Sequence, residues 1–254
     1  MLNQEQLGFY HENGFLLVKG LLARDEAARL REEAHGIIER LSAIKSMEAT
    51  WGSARGMTPE KTMLLHCHNA QFFSADFSRL LVDERLTGVA AQLIGSPNVQ
   101  LHHNKIFIKP PEKGAPFPMH QDHPFFPHER HTMIAAIVHL DDAPEEKGCV
   151  RVVPGSHKRG PIEHNPEGGY HLPFERYPLD SAQACPAEAG DALFFSYLTI
   201  HGSGVNTSRS ARTTILVQMR DPEDRALTSA GERGEGMMLR GFNPAAQPRD
   251  AYAM

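Results

Sequence analysis

The chain has 254 residues, of which 41% are hydrophobic and 22% charged, with a net charge of -5, the composition of one compact globular domain rather than a disordered or fibrous chain. No apolar stretch approaches the ~20 residues of a membrane span, the start MLNQEQ lacks the basic-then-apolar pattern of a secretory signal, and the acidic balance supplies no electrostatic footprint for nucleic acid. Three cysteines, Cys67, Cys149 and Cys185, show no CxxC spacing, which argues against a disulfide framework or a cysteine zinc site and predicts residence in a reducing cytoplasm.

In chain order, Asn3 caps a predicted helix through Glu12, ended by Asn13-Gly14, and Asp25 to Leu41 places Ala27, Leu30, Ala34, Ile37, Ile38 and Leu41 on one helical face. Ser46 to Phe73 holds Trp51, Gly52, Gly56 and Pro59 without a clear period, and reads as a long loop or lid. A third helix fits Ser78 to Ile94, closed by Gly95 and Pro97. From residue 98 the segments shorten and become β-like: Val99 to Lys109, Thr132 to Leu140, Cys149 to Val153, Ala192 to Tyr197 and Thr213 to Arg220, with turn residues between them. Strands without intervening helices predict a sandwich or barrel of the jelly-roll kind. The single domain thus divides into a mostly helical part (1–97), a β core (98–222) and a tail (223–254). Within that tail, residues from Thr228 onward, with Gly231, Gly234, Gly236 and Gly241, are expected to be loose. Gly160 to Pro186 is a second long irregular segment.

The densest chemical signal is Pro118-Met119-His120-Gln121-Asp122-His123. On extended chain, residues i and i+2 point to one face, so His120 and Asp122 with a distant histidine would present two imidazoles and a carboxylate to one side of a metal. Three positions stay open, which suits non-haem Fe(II), a metal that must take a co-substrate and O2 together. With 15 histidines and 31 acidic residues, however, a chance His-x-Asp is common. The second signal is His201, read as the end of an apolar strand that opens at Gly190-Asp191 and runs through Phe194-Phe195. A core histidine satisfied by a carbonyl is its alternative. Arg212 begins the next strand after a short polar turn that can return it to the barrel interior, where a dicarboxylate would supply the anion it needs through bidentate hydrogen bonds. A surface salt bridge is the alternative there.

The run from Ile106-Phe107-Ile108-Lys109-Pro110-Pro111 through His120-Gln121-Asp122, Leu140-Asp141-Asp142, Glu146-Lys147-Gly148-Cys149, Val153-Pro154-Gly155-Ser156-His157-Lys158, Gly190-Asp191 and His201-Gly202-Ser203 resembles the phytanoyl-CoA dioxygenase family. The match spans roughly residues 99 to 220, with a weaker one at Phe15 to Glu33. The resemblance implies a mainly β chain with flanking helices and a double-stranded β-helix (jelly-roll, cupin-like) core, in an oxygenase that uses Fe(II), 2-oxoglutarate and O2. It implies His120, Asp122 and His201 as iron ligands and Arg212 as the grip on the distal carboxylate of 2-oxoglutarate, with Lys109 and Ser203 as secondary contacts. Ile137 stands where many members carry tryptophan, so the wall beside the co-substrate is expected to differ. A carboxylate at Asp122, where halogenases carry a small residue, favours hydroxylation or a related C–H oxidation of a small organic metabolite, with release of succinate and CO2.

Trp51, His123, Phe125, Phe126, Tyr170, Phe174 and Tyr177 are the other candidate pocket residues, and Ser46 to Phe73 and Gly160 to Pro186 the expected mobile walls over the barrel mouth. His157 is expected to hydrogen-bond locally. His102 and His103, adjacent on a strand, should face opposite ways, so that at most one approaches the pocket. Two further readings stand beside the oxygenase. A cupin-like metal enzyme without 2-oxoglutarate would leave Arg212 and Lys109 without a common anion, and a non-catalytic ligand-binding relative would leave a buried carboxylate between imidazoles without its compensating cation. Lys158-Arg159 are only two charges, too few to mark a CoA-phosphate site.

Overall fold

Asn3 opens helix α1 (Gln4–Asn13) with a reciprocal cap, accepting from the Gln6 amide at 2.8 Å while the Gln6 side chain accepts from Asn3 N. Gly14, at φ 77°, closes that helix. In the computed structural model, which describes residues 1–167, 169–228 and 236–246, the chain continues through β1 (Phe15–Val18), α2 (Arg24–Ser42) and β2 (Leu65–His68). The helix expected over Ser78 to Ile94 is instead two, α3 (Ala75–Leu81) and α4 (Glu84–Ile94). Asp83 separates them: its backbone is extended and its carboxylate caps the Arg85 amide at 2.8 Å, a local bond that competes with helix continuation.

The strands that follow are β3 (Val99–Lys109), β4 (Phe117–His120), β5 (Ile134–His139), β6 (Val150–Val152), β7 (Gln183–Cys185), β8 (Ala192–Ser196), β9 (His201–Ser203), β10 (Arg212–Arg220) and β11 (Met238–Arg240). They form two antiparallel sheets facing each other. The larger has the order β1-β8-β5-β10-β3-β11, with β2 also on β3, and the smaller β4-β9-β6-β7. This is the jelly-roll expected, and two expectations about its margins change. The supposed lid between Ser46 and Phe73 contributes a sheet strand, β2, which pairs with Lys105 to Ile108. Of the tail expected to be loose, Met238 to Arg240 add a short strand to β3, while Gly231 and Gly234 lie outside the described residues.

Period-two alternation decides which side chains reach the centre. On β10, Ile215, Val217 and Met219 join the core formed with α2, α3 and α4 (Leu30, Ile37, Phe77, Leu86). Their neighbours Arg212, Thr214, Leu216 and Gln218 face the space between the sheets. At ~1.5–3 kcal/mol for each large apolar side chain fully buried, the helix-side layer anchors the sheet and leaves the inner face free for polar residues. On β3 the parity changes at a bulge: Gln218 opposes His103, Met219 opposes Leu101, and His102 has no partner across the ladder. This overturns the expectation that His102 and His103 diverge. Their Nδ1 atoms lie 2.6 Å apart and both rings pack on Phe126. Among the described residues no helix is long and apolar enough to cross a membrane.

Candidate active site

His120 and His201 are directly opposite each other on the paired strands β4 and β9, so their rings emerge on the same face, with centroids 4.2 Å apart. Asp122 joins them by a route other than the expected extended triplet. The chain leaves β4 after His120, and Asp122 turns to φ -75° and ψ -23° at the start of a short 3-10 helix. The Tyr197 carbonyl, which accepts from the Asp122 and His123 amides at 3.0 and 3.2 Å, fixes that turn. His201 does not end the Phe194-Phe195 strand either: β8 stops at Ser196, residues 197–200 cross between sheets, and His201 opens β9.

The three side chains converge. One Asp122 oxygen lies 3.6 Å from His120 Nε2 and 3.8 Å from His201 Nε2, and the three donor atoms fall within 4.8 Å of one another. The other Asp122 oxygen accepts from the Gln218 amide at 2.6 Å. His120 Nδ1 faces the Pro118 carbonyl at 2.7 Å and His201 Nδ1 the Thr199 carbonyl at 3.0 Å. With Nδ1 donating, both Nε2 atoms carry lone pairs towards the shared point. Burial and the adjacent His120 push His201 down to about 4, so its imidazole is neutral at pH 7. Burial opposes ionisation of Asp122, but His201, His120 and Gln218 outweigh it and hold the carboxyl below the usual range. Two imidazole nitrogens and one anionic oxygen, buried together, fit a divalent cation.

Arg212 and Lys109 are register partners on β10 and β3 with different surroundings. Arg212 is 3% exposed and lines the cavity. Its Nη1 donates to the Gly148 carbonyl, its Nε has no partner among the described residues, and burial lowers it to about 10, still cationic at pH 7. Among the described residues this buried cation makes no ion pair, and an anion in the cavity would offset the desolvation that burial imposes on it. Lys109 is fully buried behind the wall, donating to Ser203 Oγ at 2.7 Å and to the Gly204 carbonyl. Burial and Arg212 push it well below the usual lysine range. Ser203 lines the cavity; Lys109 does not. Gly148, at φ 65°, comes so close to the Gly204 carbonyl that a Cβ would collide with it. Gly148→Ala is therefore expected to cost more than about 1 kcal/mol of stability and to displace the carbonyl under Arg212; an unchanged Tm would contradict this packing.

The phytanoyl-CoA dioxygenase (PhyH) family profile matches residues 10–214. The chain belongs to the phytanoyl-CoA dioxygenase family. Rat peroxisomal phytanoyl-CoA dioxygenase is 31% identical over 233 residues, covering 85% of this chain and 67% of that one. A probable alpha-ketoglutarate-dependent hypophosphite dioxygenase of Stutzerimonas stutzeri is 26% identical over 247 residues, covering 93% and 86%. The crystal structure of the non-heme alpha ketoglutarate dependent carbocyclase SnoK from nogalamycin biosynthesis matches with a TM-score of 0.73 at 25% identity, covering 89% of this chain and 86% of that one. The protein is thus an Fe(II)/2-oxoglutarate-dependent oxygenase of this family.

Several family-like motifs prove to be props for the site. Ser156 Oγ accepts from the Ile200 amide at 2.8 Å, next to His201. Asp141 accepts from Thr213 N at 2.9 Å, next to Arg212, and Asn206 donates to the Lys109 and Pro110 carbonyls. His157 bonds not locally but to the His11 carbonyl at 3.2 Å, tying this turn to α1.

Trp51, Phe125, Phe126 and Ile137 line the cavity, with Trp51 edge-on to His120 at 4.8 Å. The other aromatic expectations move out of it. His123 packs on Tyr197 and His131, Tyr170 sits at the rim against Phe125, 44% exposed, Phe174 stacks on His171, and Tyr177 joins Met119 and Leu172. Among the described residues, none of 160–186 lines the cavity, whereas Trp51, Leu64, His66 and His68 bring the first irregular segment into it. Sequence reasoning missed His66, His68, Lys105 and Gln218. For Lys105 the i, i+2 spacing from His103 held the signal, and for Gln218 the even spacing, i, i+6, from Arg212 on the same strand.

Proposed function

We propose that His120, Asp122 and His201 hold the iron of this oxygenase and that Arg212 receives the distal carboxylate of 2-oxoglutarate. The observation that carries this is the pairing, in one cavity, of a buried three-donor cluster on a single face with a buried arginine that makes no ion pair among the described residues. With 2-oxoglutarate, Fe(II) supplies O2 activation, coupling loss of CO2 and formation of succinate to oxidation of a substrate C–H bond. The residues do the rest. Gln218 fixes one Asp122 oxygen so that the other faces the imidazoles, and Ser203, oriented by Lys109, offers a hydroxyl beside Arg212. Phe195, 4.3 Å from the His201 ring, and Trp51 on His120 exclude water from the donor side.

The substrate is a small organic metabolite, and hydroxylation its outcome. Lys158, one of the two charges too few to mark a phosphate-rich carrier, is paired with Glu12 at 2.6 Å. Three buried free thiols suit a reducing cytoplasm, and the net charge of -5 does not favour nucleic acid. Incubation with Fe(II), 2-oxoglutarate and a metabolite library should release succinate in step with an oxidised product; substrate oxidation without succinate would point to the cupin-like alternative. Gln218→Leu, which frees the second Asp122 oxygen, is expected to weaken iron binding ~10–100-fold, measurable by chelator competition. Unchanged affinity would remove Gln218 from the account.

A further inference from the structure

The cavity has one wall that neither iron nor 2-oxoglutarate accounts for. Alternate residues of two paired strands build it: His66 and His68 from β2, and His103, Lys105 and Phe107 from β3. His68 lies opposite Lys105, and His66 opposite Phe107. The His66 and His68 rings meet edge to face at 4.9 Å, and His68 stacks with His103 at 6.3 Å. Lys105 has no hydrogen-bond or ion-pair partner among the described residues, and His103 Nε2 is buried without one. Trp51, Phe117, Phe125 and Phe126 give the same cavity an apolar side.

Charge shows what is missing. Once Fe(II), the Asp122 carboxylate, dianionic 2-oxoglutarate and the Arg212 guanidinium are assembled, their charges cancel, and Lys105 remains as a surplus, half-buried cation on the cavity wall, beside the exposed His68. Lys109 does not alter this, because it lies behind the wall among neutral acceptors. A surplus, half-buried cation that faces a cavity next to hydrogen-bonding imidazoles is a site for one oxyanion.

Resting on the oxygenase reading above, we propose that Lys105, flanked by His68 and His103, binds an anionic oxygen group of the primary substrate, which is therefore a small organic acid with an apolar body. The aromatic side holds that body, and Lys105 sets which C–H bond faces the metal centre. The same cation could instead meet a carboxylate of 2-oxoglutarate, and the test separates the two sources.

Anaerobic Fe(II) protein is titrated first with 2-oxoglutarate, followed by the metal-to-ligand charge-transfer band, and then with acetate and inorganic phosphate as probes. The expected result is a saturable change of the band with at least one probe, weakened about tenfold or more in Lys105→Met and largely retained in Lys105→Arg, with 2-oxoglutarate affinity preserved in both. The preserved band also shows that the variants fold. Absence of probe binding to the wild type, or probe binding unaltered in Lys105→Met as for an ion taken directly by the metal, would overturn the proposal. So would a tenfold loss of 2-oxoglutarate affinity in Lys105→Met, which would assign the cation to the co-substrate. Absence of the band in wild type would contradict the oxygenase reading itself.

Discussion

Arg212→Ala is expected to weaken 2-oxoglutarate binding by ~30-fold to several thousand-fold, equivalent to about 2–5 kcal/mol for a buried, hydrogen-bonded charge pair. The magnitude follows from where Arg212 sits: it is buried, its Nε is unpaired, and the Gly148 carbonyl holds one arm so that the rest of the fork faces the cavity. Arg212→Lys should recover only part of the loss, because an ammonium on a flexible stem cannot reproduce a planar two-pronged contact. Iron affinity should be the same in both variants. The charge-transfer band of anaerobic Fe(II) protein reads co-substrate binding directly, and unchanged 2-oxoglutarate affinity in Arg212→Ala would show that the distal carboxylate is held elsewhere.

Asp122→Ala should have the larger effect on turnover. It removes the one anionic donor and leaves Gln218 without the acceptor it holds at 2.6 Å. Losing a residue that only orients a ligand costs ~10–100-fold in metal affinity, so losing the ligand should cost more than ~100-fold, and succinate release coupled to substrate oxidation should disappear. Asp122→Glu tests position rather than charge: the longer arm moves the carboxylate away from the Nε2 atoms set by His120 and His201. Full turnover by the alanine variant would place the metal on other residues.

The jelly-roll was legible because its strands are apolar runs cut by Gly and Pro, and the three donors because of their residue types. Their routes into the site were not. Asp122 reaches the site through a turn held by the Tyr197 carbonyl, and His201 through a crossing between sheets; both depend on tertiary pairing that no local spacing encodes. The same holds for the bulge at His102, which exists only in the ladder with β10. Strand β2 escaped notice for a different reason: Leu65-His66-Cys67-His68 turns its histidines inward, reversing the polar-out pattern by which strands are recognised. His123, Tyr170, Phe174 and Tyr177 were drawn to the pocket by composition, yet aromatic side chains in long loops pack as readily on each other at the rim. Gln218 was within reach, since it shares the inner face of β10 with Arg212.

The central claim is that one iron sits where His120, Asp122 and His201 converge. Anomalous diffraction at the iron edge, from crystals grown anaerobically with Fe(II) and 2-oxoglutarate, tests it most directly. The expected result is a single strong peak in contact with His120 Nε2, His201 Nε2 and the Asp122 oxygen turned away from Gln218, with the co-substrate reaching from it to Arg212. A peak bound by other side chains, or none at these three, would contradict the account.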